Sequence, residues 1–182
     1  MVPDSHYSLM FLLSLTLILQ SSSSPLTQIA IDPIHKVCSQ TAYDEFCVAC
    51  LESDPRSLTG DLNVFADILI GLTLSNVTNT CPYISKLCNK TPEPILKNCL
   101  NLCLFMYEEA VYDLQGALTS LVATDYFELL SDMASTLTAA VTCDDCLTAP
   151  PVRKSPLTQQ TSFLIRLSSI TLVIGDMLAS SS

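Results

Sequence analysis

The chain of 182 residues predicts an all-α protein, an up-and-down four-helix bundle with an N-terminal helical hairpin, stapled by disulfides. Three observations carry that prediction. Long apolar stripes recur at steps of three and four, the pattern of helices that bury one face. Glycine occurs only four times, poor material for a turn-rich β-sandwich. Nine cysteines include Cys103 and Cys143, each 20 positions from residue 123, where an antiparallel helix pair turning at that residue would bring them together. Cys99 and Cys146 share nearly the same midpoint and make a possible second rung.

The first element is not structural. Leu9 to Leu19 is an apolar run too short to span a bilayer, and the small residues Ser21 to Ser24 follow it. Residues 1–24 therefore read as a secretory signal peptide, with an n-region that lacks Lys and Arg. Secretion puts the cysteines in an oxidising compartment, where pairing is the default. Removal of the signal takes only Asp4 from the charge balance of -10, so the mature chain stays acidic. That excludes nucleic acid and anionic membranes as partners and favours a basic one.

Residues 25–54 form the expected hairpin and 55–182 the bundle, together one domain with one core. In the hairpin, Ile29 to Ser53 gives two short helices with a bend near Thr41 to Asp44, flanked by Cys38 and Cys47. A bridge there would hold together helices too short to persist alone. Asp54-Pro55 supplies a cap and a proline at the first position of the first long helix, whose stripe is Leu58, Leu62, Phe65, Leu69 and Leu72. Thr91 to Pro94 breaks the chain before the second stripe, Leu96, Cys99, Cys103, Met106, Ala110, Leu114, Ala117 and Leu121. Thr124-Asp125 caps a third helix with the stripe Phe127, Leu130, Ala134, Leu137 and Val141. After the connection Ala149 to Lys154, Ser155-Pro156 opens the last helix, striped by Leu157, Leu164, Leu167, Thr171, Ile174 and Leu178. Arg166 and Asp176 interrupt its apolar run, so it reads as a bundle helix and not as a membrane tail.

Chemistry at a catalytic centre finds little support. His35 is the single imidazole left once the signal is gone, and adjacent acids such as Glu108-Glu109 point about 100° apart on a helix. Two C-x-x-C spacings, Cys47 to Cys50 and Cys143 to Cys146, match a zinc knuckle, but secretion favours disulfides and no metal or other cofactor is expected. Cys50, Cys81 and Cys88 have no assigned partner. Asn76-Val77-Thr78 and Asn89-Lys90-Thr91 are N-glycan acceptors, expected at or beyond the end of the first long helix. The residues favour a binding protein over an enzyme. A secreted lipid carrier is the alternative, yet the chain lacks the adjacent Cys-Cys pair and the C-x-C spacing expected of one. A secreted structural or signalling interaction protein with no enzyme target is another.

Four ordered fragments resemble the plant invertase and pectin methylesterase inhibitors over nearly all of the mature chain. The first is Cys38-Ser39-Gln40-Thr41 through Tyr43 to Phe46-Cys47, then Leu51 and Asp54-Pro55-Arg56-Ser57. Leu100-Asn101-Leu102-Cys103, Tyr107, Ala110-Val111 and Leu114 make the second, and Asp125-Tyr126, Met133 and Val141-Thr142-Cys143-Asp144-Asp145 the third. Ser155-Pro156-Leu157-Thr158 with Leu167, Ile170 and Leu178 completes the set. The resemblance implies a hairpin on a four-helix bundle, bridges Cys38–Cys47 and Cys103–Cys143, and secretion to the apoplast or cell wall. It also implies an inhibitor that blocks the cleft of a pectin methylesterase or of a cell-wall or vacuolar acid invertase. Some invertase inhibitors of this kind plug the enzyme with a Pro-Lys-Phe motif. The matching residues here, Asp125, Tyr126 and Phe127, keep the aromatic and lack the proline and lysine. They are the candidate target contacts.

Overall fold

A computed structural model describes residues 33–150 and 154–182. The expected signal peptide, residues 1–24, and the expected hairpin residues before 33 lie outside the described residues. Among the described residues, α1 spans 33–38. It is followed by α2 (Asp44–Glu52), a 3-10 turn (Pro55–Thr59), and four long helices: α3 (Leu62–Lys90), α4 (Pro94–Val122), α5 (Tyr126–Thr148) and α6 (Thr158–Ser181). α3 packs on α4 and α6, and α5 packs on the same two. This is the ring of neighbours of an up-and-down bundle.

Three of the four long helices begin where a side chain accepts the free backbone donors of the first turn. Asp61 caps α3 through Asn63 N at 2.8 Å. Glu93 accepts from Ile95 N and Leu96 N at 3.0 and 2.7 Å, with Pro94 at the first helical position. Asp125 caps α5 through Glu128 N at 3.1 Å.

Two expected starts move. Asp54 caps the 3-10 turn and not α3, because Gly60, at φ 69, ends that turn in the left-handed region and Asp61 begins again. Leu58 consequently lies outside the stripe and is 58% exposed. Ser155 Oγ accepts from Leu157 N at 3.1 Å, which closes a turn one step before α6.

The stripes of α3 beyond Leu58, of α4 and of α6 face the core. The α5 stripe is out of register. Its buried side chains are Leu129, Met133, Thr136, Ala139, Ala140, Cys143 and Leu147, while Phe127, Ala134 and Val141 face outward. α5 carries apolar residues nearly all round, and its true seam contains the polar Thr136, so hydropathy alone selects the wrong face. α3 and α6 are long and apolar enough to cross a membrane by length and composition, yet each turns a buried stripe to its neighbours.

The hairpin lies against the bundle. Phe46 meets Phe163 edge to face with ring centroids 5.3 Å apart, and the Arg166 guanidinium sits over the rings of Tyr43 and Phe46 at 5.8 and 5.6 Å. Cys38 and Cys47 are bonded, their Cα atoms 5.5 Å apart.

Candidate functional site

The turn between α4 and α5 is built from backbone hydrogen bonds. Asp125 N donates to Ser120 O at 2.9 Å and Thr124 N to Leu121 O at 3.1 Å. Thr124 lies at φ 56. This is the Schellman arrangement, in which a left-handed residue lets two amides satisfy the last carbonyls of a helix. Glycine is the usual occupant; here a β-branched residue takes the strain.

Tyr126 turns inward from that turn and donates its hydroxyl hydrogen to Asn63 Oδ1 at 3.0 Å. The bond joins the start of α5 to the start of α3, so both lie at one end of the bundle. Phe127 turns outward and is 83% exposed; Val122, on the other side of the turn, is 87% exposed. The three candidate contacts therefore separate. Asp125 is a helix cap, Tyr126 a tie to α3, and Phe127 a bare apolar side chain on a fixed turn.

The opposite end of the same helix pair is held covalently. Cys103 and Cys143 are bonded with Cα atoms 4.7 Å apart, and Cys99 and Cys146 with Cα atoms 5.5 Å apart. At about 1.5 Å per helical residue these rungs sit about 30 Å from the turn. They brace the far end, and the turn depends on its own hydrogen bonds. Cys50 and Cys88 are buried free thiols and Cys81 is half-buried, with burial pushing all three upward in pKa. Cys47, Cys143 and Cys146 are consumed in disulfides, and among the described residues no cluster of His, Cys, Asp and Glu could hold a metal ion.

Charge on this half of the molecule is one-sided. Between Asn98 and Val152 the chain has no Lys or Arg but eight Asp and Glu residues. Exposed Phe105 and Tyr112 lie beside Glu108 and Glu109 on α4. Where α4 and α5 approach closely, a Cβ at Gly116 would come within 2.7 Å of Asp132 Oδ2. Burial, with the Glu128 and Asp113 carboxylates nearby, pushes the Asp132 carboxyl above the usual carboxylate range.

His35 is exposed. Asn89 is exposed at the end of α3, but Asn76 lies in the middle of that helix, half-buried, with its Oδ1 fully buried and unpartnered. Its expected place at or beyond the helix end is therefore corrected. The helix continues through the sequon and Pro82 to Lys90 because apolar core positions recur on both sides of it.

Residues 32–174 match the family model described as plant invertase/pectin methylesterase inhibitor. The chain is 31% identical to a pectinesterase inhibitor of Actinidia deliciosa, over 81% of this chain and 80% of that one. It is 37% identical to the cell wall/vacuolar inhibitor of fructosidase 2 of Arabidopsis thaliana, over 59% and 61% respectively. The fold matches the crystal structure of a mutant form of a pectin methylesterase inhibitor from Arabidopsis, with a TM-score of 0.70 and 23% identity, covering 78% of this chain and 93% of that one.

Proposed function

The chain belongs to the plant invertase/pectin methylesterase inhibitor family, and from that premise we propose that it docks on a pectin methylesterase or an acid invertase through the acidic α4–α5 half and blocks the enzyme. The family is one of enzyme inhibitors, and this protein binds an enzyme instead of being one. Residues 1–24 are read as a secretory signal, and the apoplast or cell wall as the destination, in keeping with the wall and vacuolar location in the name of the Arabidopsis relative. On this reading 25–54 is the hairpin and 55–182 the bundle of one inhibitor domain.

The observation that carries the docking surface is Phe127. A large apolar side chain that is 83% exposed, on a turn fixed by hydrogen bonds, can bury itself in a partner without ordering the backbone first. Aromatic side chains of this kind dominate many interfaces. The surrounding carboxylates favour a basic partner and accelerate encounter with one.

The reading is tested by titrating the purified secreted protein into cell-wall invertase and pectin methylesterase, side by side at mildly acidic pH and at two salt concentrations. Inhibition of one enzyme that weakens as salt rises is the expected result. Activity of both enzymes unchanged at saturating protein would remove the proposal.

A further inference from the structure

The outward side of α4 carries two large aromatic side chains that the core does not use. α4 turns Cys99, Leu100, Cys103, Tyr107, Ala110 and Leu114 inward, whereas Phe105 is 54% and Tyr112 70% exposed. Phe105, Glu108, Glu109 and Tyr112 follow one another at i, i+3, i+4 and i+7, so they share one face of the helix, with the two aromatic positions about 10 Å apart along its axis. They line a groove of about 480 Å³ whose other wall includes Thr78 and Cys81 of α3. Burial and the Glu108 carboxylate push the Cys81 thiol up in pKa and keep it protonated, so among the described residues that line the groove only the two glutamates carry charge.

We propose that this groove takes a lysine or arginine side chain of the target enzyme, paired with Glu108 and Glu109 and flanked by the rings of Phe105 and Tyr112. The proposal rests on the reading that the acidic half of the molecule meets an enzyme, and it adds a second anchor to Phe127. Charge complementarity selects the occupant. The chain has no Lys or Arg between Asn98 and Val152, so no positive charge of that stretch competes for the two carboxylates. A cationic side chain gains twice in such a place, from the carboxylates and from the negative faces of the rings. A second copy of this chain, with its formal charge of -10, would bring like charge to the groove. A purely apolar segment would cover the rings and strip water from two carboxylates without pairing them.

Inhibition constants and dissociation rates against pectin methylesterase and invertase test the proposal, for the full secreted protein and three variants: Phe105→Ala, Tyr112→Ala, and Glu108→Gln together with Glu109→Gln. All four side chains are exposed, so the variants fold, which thermal unfolding verifies. Asp176→Asn, an exposed change of charge on α6 across the bundle, reports the effect of net charge alone. Dissociation from the inhibited enzyme that is roughly tenfold faster in each of the three variants, and unchanged in Asp176→Asn, is the expected result. Inhibition by the native protein that persists unchanged in the three variants overturns the second anchor and leaves the enzyme reading standing. The second anchor also falls if Asp176→Asn weakens binding as much as the glutamate pair, or if the native protein is a dimer that the same variants disperse. No inhibition of either enzyme by the native protein overturns the reading and the anchor together.

Discussion

Tyr126 and Asn63 lie 63 positions apart in sequence and share a hydrogen bond of 3.0 Å that closes one end of the bundle. Beside it, Phe127 has no comparable duty and stands 83% exposed. Two adjacent aromatics on one turn thus have separable roles. Tyr126→Phe is expected to lower stability by about 1 kcal/mol, the net worth of one half-buried hydrogen bond, in denaturant unfolding. Phe127→Ala should change stability by less than about 0.5 kcal/mol, because little of the side chain is buried.

Thr124→Gly should stabilise the protein by about 1 kcal/mol, since Thr124 holds the left-handed position of the α4–α5 turn at φ 56 and glycine relieves its steric cost. Thermal unfolding measures this directly. An unchanged or lower melting temperature would mean that the gain in unfolded-chain entropy outweighs the relief.

The two rungs between α4 and α5 should couple. With Cys103–Cys143 intact, opening Cys99–Cys146 releases only a short ring in the unfolded chain, worth about 2.5 kcal/mol. Opening both also releases a loop of 40 residues, worth about 4 kcal/mol more. Replacing all four cysteines with alanine is therefore expected to cost more than the two single-bridge variants summed, as read from unfolding free energies extrapolated to zero denaturant with each variant's own m-value.

Asp132 gives a pH dependence of known sign. Its folded pKa is raised above its unfolded value, about 3.9, so the native state holds this proton more tightly. The stabilisation is complete below the unfolded pKa and is lost as pH rises through the folded one. Asp132→Asn removes that loss, and the variant should melt higher than the native protein at pH 7, with the difference shrinking on acidification below the carboxylate range. Glu128 and Asp113, the carboxylates that reinforce the shift, face the same position.

Much of the fold is legible in the sequence because it rests on periodicity and on punctuation. The α6 stripe from Leu157 to Leu178 is buried throughout, and Glu93-Pro94 and Asp125 stop and start helices by capping chemistry that residue type alone predicts. The face of α5 is not legible from hydropathy, since Thr136 is buried and Phe127 is not. Stepping back from Cys143 through Ala140, Thr136 and Met133 to Leu129 recovers the correct seam, because a cysteine that meets α4 must point inward. Asn63 as the partner of Tyr126 is invisible in sequence, as the two meet only after the helices pack. The break at Gly60 depends on one left-handed residue, which the preceding Asp54-Pro55 pair masks.

The central claim is that an inhibitor meets its enzyme through the α4–α5 turn, and Phe127→Ala tests it most directly. Inhibition constants for native protein and variant are measured against pectin methylesterase and invertase, with melting temperatures recorded on the same samples. Inhibition of one enzyme, weakened at least roughly tenfold in the variant at an unchanged melting temperature, is the predicted result. Equal inhibition by the two proteins would place the contact elsewhere and contradict the account.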